Sequence, residues 1–255
     1  MAKRLFLILF SFGMIGVISL LFIDYQALIN IAPERVRPDT PTITTSLKLL
    51  SLIQPGLILA LAVFVGVALA HRVGLSAPFA EALAGRGDIR SALKRQTLAG
   101  LNGGLAGGAS VVFVSLLFRP FLSSETLDRI DKLGKLLPMP TRLLYGGITE
   151  EVLLRWGFMT LLVWLAWRLL QRKRPGPTRV SFISAILLSS VIFGIGHLPL
   201  AFFLIPHVTL ALVLYVIIVN SVFGLIAGYL YWKKGLEAAV LAHMLAHFII
   251  VFGSA

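Results

Sequence analysis

Apolar stretches long enough to cross a bilayer recur seven times along this chain. They run over roughly Leu5–Ile23, Leu47–Ala70, Thr97–Phe118, Thr141–Leu170, Val180–His197, Val208–Trp232 and Leu236–Phe252. Most hold the ~20 residues that a helix needs to span a ~30 Å hydrocarbon core. In lipid, every backbone N–H and C=O has to find its partner within the chain, which leaves only helices and closed barrels. Continuous apolar runs of this length, without period-two alternation, select helices. The expected fold is therefore all-α, a polytopic membrane bundle of seven or eight helices. Only 13% of the 255 residues are charged, about half of what a soluble domain carries, so the spans use up most of the length.

The segments between the spans are short. The Pro-rich stretch Ile31–Pro41 reads as a loop, and Leu198–Pro206 as a re-entrant turn or part of an eighth helix. Pro78–Arg95 and Phe121–Leu137 mix charged and apolar positions in the manner of amphipathic interfacial helices. The first apolar run follows Lys3 and Arg4 but has no small-x-small cleavage site after it, so a retained helix is expected rather than a signal peptide. Gly100, Gly103, Gly104, Gly107 and Gly108 in the third run carry the small-residue spacing of close helix packing.

Lys and Arg divide unevenly between alternate loops, 14 against 8, with Arg155 inside a span. The positive-inside rule then puts the N-terminus and the Arg168–Arg179 loop in the cytoplasm. The formal charge of +12 is thus assigned to orientation and to anionic headgroups, and nucleic acid is not an expected partner. The absence of cysteine excludes disulfides, a cysteine nucleophile and thiolate metal sites.

Against this background five residues stand out: Glu150, Glu151, His197, His243 and His247. Ionisable groups in a span cost roughly 2.5–3.5 kcal/mol on insertion scales and by default mark function. On a helix, Glu151 and Arg155 lie four apart, acid before base, the favourable order for an ion pair. Glu150 is turned about 100° away, which leaves it free for other work. Phe193 lies one turn before His197, where its ring can pack beneath the imidazole, and Gly194 and Gly196 allow a neighbouring backbone to come close. His207, beside a proline, is read as an interfacial residue. His243 and His247 share one helix face, and such a pair can bind a metal or donate two hydrogen bonds to one developing negative charge.

Taken in order, Glu-Glu-x-x-x-Arg at 150–155, Phe-x-x-x-His at 193–197 and His-x-x-x-polar at 243–247 resemble the CPBP family. That family includes the CAAX-processing prenyl-protein endopeptidases and bacteriocin-processing, self-immunity (Abi) proteins. The resemblance spans roughly Thr141 to Val251, so residues 1–140 read as N-terminal transmembrane helices with interfacial segments and 141–255 as a CPBP-like catalytic core. It implies an intramembrane endopeptidase of the glutamate type, with Glu150 activating water, His197 sharing that water, and His243 stabilising the oxyanion. Glu151, Arg155 and Phe193 become supporting residues. The family usually has asparagine one turn after its last histidine, whereas this chain has His247, which can still donate. No cofactor is expected. The alternative is zinc held by Glu150, His197, His243 and His247.

The implied partners are membrane lipids and a membrane-embedded or lipid-associated peptide substrate, and the expected location is a cell membrane, in bacteria the inner one. The charge bias turns the site away from the cytoplasm, which argues against a prenylated cytosolic substrate. Two other functions use the same residues: a non-catalytic scaffold or immunity protein that binds a peptide partner, and a proton-coupled transporter. Gly85-Arg86-Gly87-Asp88 lacks a second intramembrane aspartate, so an aspartyl protease fits worse.

Overall fold

The computed structural model describes residues 1–34 and 43–253, so most of the expected Ile31–Pro41 loop lies outside the described residues. Among the described residues there are helices and no strands, and seven helices are long and apolar enough to cross a membrane. They are Ala2–Phe22, Thr45–Val73, Ile89–Phe121, Met139–Leu170, Arg179–Leu204, Leu210–Lys233 and Leu236–Gly253, numbered here as the first to the seventh span. The chain is an all-α multi-pass membrane protein.

Three boundaries differ from the sequence reading. The interfacial helix expected over Pro78–Arg95 is two elements: a short helix, Pro78–Leu83, and the first turns of the third span, which begins at Ile89. Asp88 ends the intervening turn by accepting a hydrogen bond from Ser91 N at 2.6 Å, which starts the long helix inside the charged segment. The Leu198–Pro206 segment adds no eighth span. It forms a short helix, Leu198–Leu204, which continues the fifth span after a break at His197. Pro199 stands in the first turn of that helix, where its missing N–H costs nothing. The second amphipathic segment is a helix over Ser124–Leu136, capped by Ser123 at its start and by Arg142, whose guanidinium donates to the Gly134 and Leu137 carbonyls, at its end.

Lipid tails are as apolar as leucine, so spans associate through close packing and interhelical hydrogen bonds. The third span supplies the packing. Gly100, Gly104 and Gly108 face Leu241, Leu245 and Ile249 of the seventh span, while Gly103 and Gly107 face Leu230 and Phe223 of the sixth. The stripe expected from the sequence thus serves two neighbours at once. The first span is part of the same core. Thr149 and Thr141 of the fourth span donate to its Gly13 and Ser19 carbonyls, both at 2.7 Å, and Gly16 lies against Thr149 and Leu144.

The depth of the seventh span is set at its start. Gly235 turns the chain with φ at 117°, a value only glycine adopts without strain, and packs against Pro78. Gln96 then donates to the Lys234 carbonyl at 2.6 Å and accepts from Ala238 N at 3.0 Å. Glu237 reaches across to accept from Phe79 N and Ala80 N, at 3.1 and 2.9 Å.

A methyl group at Gly104 would sit 2.6 Å from Leu245 Cβ and 2.9 Å from the Ala242 carbonyl, neither of which can swing aside. Gly104→Ala is therefore expected to cost about 1–3 kcal/mol, the usual range for overpacking. Gly196 has nothing within 4 Å of its would-be Cβ, contrary to the close approach read for it from sequence. Gly196→Ala should leave stability unchanged or raise it slightly. Thermal unfolding of the two variants in detergent checks both expectations.

Candidate active site

The fourth span carries most of the site. Much of it is wound as π-helix, over Arg142–Glu150, Val152–Met159 and Ala166–Leu170. This winding is rare and tends to occur at functional sites. It was not expected from the sequence, whose phase reasoning assumed a regular α-helix. The pairing inferred from that phase survives nonetheless: Glu151 Oε2 lies 3.2 Å from Arg155 Nε, with both side chains fully buried.

Arg155 holds three spans together. Its Nη2 donates to the Gly224 carbonyl of the sixth span at 3.1 Å, and its guanidinium lies 5.1 Å from the Phe193 ring centre of the fifth. A cation so far from water needs each of these contacts, and a planar guanidinium is suited to supply them at once.

Glu151 has a second partner that the sequence did not disclose. His243 Nδ1 donates to Glu151 Oε1 at 2.8 Å. The carboxylate assigned to a structural pair within one helix is thus shared between Arg155 and a histidine 92 residues away. The bond orients the imidazole and leaves Nε2 as its other hydrogen-bonding atom. Phe223 packs on the same ring with centroids 4.3 Å apart, and Phe193 meets it edge-on at 5.9 Å.

His197 stands at the break in the fifth span. Its Nδ1 donates to the Phe193 carbonyl at 2.8 Å, and its ring meets Phe193 at 4.8 Å, edge to face, as the one-turn spacing anticipated. With Nδ1 so used, Nε2 carries the lone pair. Gly194 provides the close approach expected of it, with its backbone against Ile217 and Ser221 of the sixth span.

His247 stacks on His243 at 4.8 Å, the planes 12° apart. The pair therefore converges as the i, i+4 spacing anticipated, and its second ring lies against Gly146 of the fourth span. Among the described residues His247 Nδ1 is buried with no hydrogen-bond partner. Glu150, half-buried and next in sequence to Glu151, makes no hydrogen bond or ion pair among the described residues. His207 is exposed in the loop between the fifth and sixth spans, apart from this cluster.

The zinc alternative needs Glu150, His197, His243 and His247 to converge as one ligand set. Among the described residues no three His, Asp or Glu side chains gather closely enough to hold a metal ion. His243 turns Nδ1 to Glu151 and keeps Nε2 open, an orientation that a ligating histidine also adopts.

An all-α bundle with two carboxylates and three histidines distributed over its fourth, fifth and seventh spans defines a multi-pass membrane protein with an ionisable intramembrane site. Residues 132–249 match the family described as type II CAAX prenyl endopeptidase Rce1-like. Over this segment the chain is similar to that family, as its motifs implied, and the likeness points to an intramembrane protease. No curated protein and no solved structure matches the chain.

Removing one partner of a buried ion pair leaves an uncompensated charge and costs about 3–5 kcal/mol. Arg155→Ala is expected to lower stability by that amount. Glu151→Gln leaves the Arg155 charge equally uncompensated and should cost a similar amount, although its amide oxygen still accepts from His243. Thermal melts in detergent decide; an Arg155→Ala protein that unfolds with the wild type would mean that the pair does not hold these spans.

Proposed function

We propose that the chain is an endopeptidase that hydrolyses a peptide bond of a membrane-associated protein or peptide, with Glu150 as the residue that activates water. The observation that carries this reading is the division between two adjacent carboxylates. Glu151 is occupied by Arg155 and His243, while Glu150 has no partner among the described residues. A group that must accept and return a proton has to be free to do so.

In the proposed reaction, the Glu150 carboxylate takes a proton from water as the water oxygen attacks the scissile carbonyl carbon. His197 Nε2, its lone pair freed by the Nδ1 bond to Phe193, accepts the second hydrogen bond of the same water. The carbonyl pair moves onto oxygen, and the stacked imidazoles of His243 and His247 donate to that oxyanion. When the C–N bond breaks, its electron pair stays with nitrogen, which receives the proton that Glu150 had accepted. The products are a carboxylic acid and an amine, which exchange the remaining water proton to leave as carboxylate and ammonium, and Glu150 is restored.

Glu150 lies 11 residues from the Met139 end of its span and 20 from the Leu170 end. This supports a site that opens toward the less basic side of the membrane. Glu151, Arg155 and Phe193 act through the groups they hold and do not touch the reacting atoms.

Glu150→Gln is expected to lower cleavage by at least roughly 10²–10⁴-fold, the usual contribution of a general base. Its melting temperature should stay at the wild-type value, because no bond of Glu150 is lost. His243→Ala should lower kcat by about 10²–10³-fold. Comparative membrane proteomics of wild type and Glu150→Gln should reveal a protein whose terminus shortens only with the wild type. A Glu150→Gln protein that supports the same processing would rule out this assignment.

A further inference from the structure

We propose that Gly146 is a positioning residue for the reaction site: it is the seat on which His247 rests, and positions 146 and 247 form one steric unit. The inference deepens the reading above and rests on His247 being part of the reaction site. A Cβ built at Gly146 would lie 2.5 Å from His247 Nε2, 3.2 Å from Cδ2 and 3.5 Å from Cε1. The edge of the imidazole therefore occupies the space that any side chain at 146 would need.

The ring cannot easily move away. It is stacked on His243 at 4.8 Å with only 12° between the planes. His243 is itself held by Glu151 at 2.8 Å and covered by Phe223 at 4.3 Å. Displacing His247 thus means breaking the stack or shifting a ring that is anchored to a buried carboxylate. On the other side, Thr149 and Gly16 hold the fourth span against the first at this same level.

Gly146 stands one turn before Glu150 on the fourth span. An imidazole edge pressed on its backbone is consequently held one helical turn from the carboxylate proposed to activate water. A glycine in mid-helix weakens the helix relative to alanine, so its presence here needs a reason. The reason on this chain is the length of the residue at 247. A shorter side chain at 247, such as asparagine, would reach less far from the helix. His247 needs the bare backbone opposite, and a shorter side chain would not.

The test is a double-mutant cycle on the full-length protein in detergent or proteoliposomes. Gly146→Ala should lower kcat by roughly 10²-fold, the scale of a displacement of about 1 Å at a reacting group, with little change in KM. His247→Asn should itself lower kcat, but by less. The combined variant should match His247→Asn alone, since the clash is gone, rather than show the product of the two losses. A purely structural glycine would give no such rescue.

The second readout needs no activity. The ring resonances of His247, assigned by comparison with His247→Asn, should shift in Gly146→Ala. Shifted resonances support the steric unit even if the wild type cleaves nothing, a result that would count against the protease reading alone. Unshifted resonances overturn the steric unit, and so does a double variant as impaired as Gly146→Ala.

Discussion

Everything in the site depends on one buried ion pair. Glu151 and Arg155 are both fully enclosed in a chain that lipid surrounds, where an uncompensated charge is not tolerated. Arg155 answers by engaging the Gly224 carbonyl of the sixth span and the Phe193 ring of the fifth. Glu151 answers by engaging His243 of the seventh. The need to satisfy two charges therefore joins four helices, and the atoms that satisfy them are the ones that orient the histidines. Structure and chemistry share the same bonds.

The second condition is close packing without a hydrophobic driving force between spans. Glycines meet it by letting backbones approach, and they do so in two distinct settings. In the third span they form a stripe that seats the sixth and seventh helices. At Gly146 and Gly147 of the fourth span they receive His247 and Met244. The first setting positions helices, the second positions a single imidazole. Gln96 and Gly235 complete the arrangement at the other end by setting the depth at which the seventh span begins.

Much of this was legible in the sequence. The seven spans follow from hydropathy and length, and their observed ends differ by a few residues except at the start of the third helix, which charges disguise, and at the end of the fifth, which runs on to Leu204. The Glu151–Arg155 pair and the edge-on contact of Phe193 with His197 follow from helical spacing, because both lie within one helix. The same spacing put His243 and His247 on one face. The π-winding of the fourth span was not legible, since hydropathy and spacing do not distinguish it from a regular α-helix. The fate of Leu198–Leu204 was ambiguous for a related reason: a proline two residues after a histidine is compatible with either a turn or a resumed helix.

By itself, then, the sequence determined which stretches enter the membrane, which ionisable residues enter with them, and which of those share a turn. These are properties of nearest neighbours along a helix, and hydropathy and periodicity report them directly. Only the tertiary structure decided that Glu151 serves His243 as well as Arg155, that Glu150 is left without a partner among the described residues, and that His247 rests on Gly146. Those pairings join residues about 90 to 100 positions apart. They depend on the depth and rotation of each helix against the others, which no local pattern along the chain encodes.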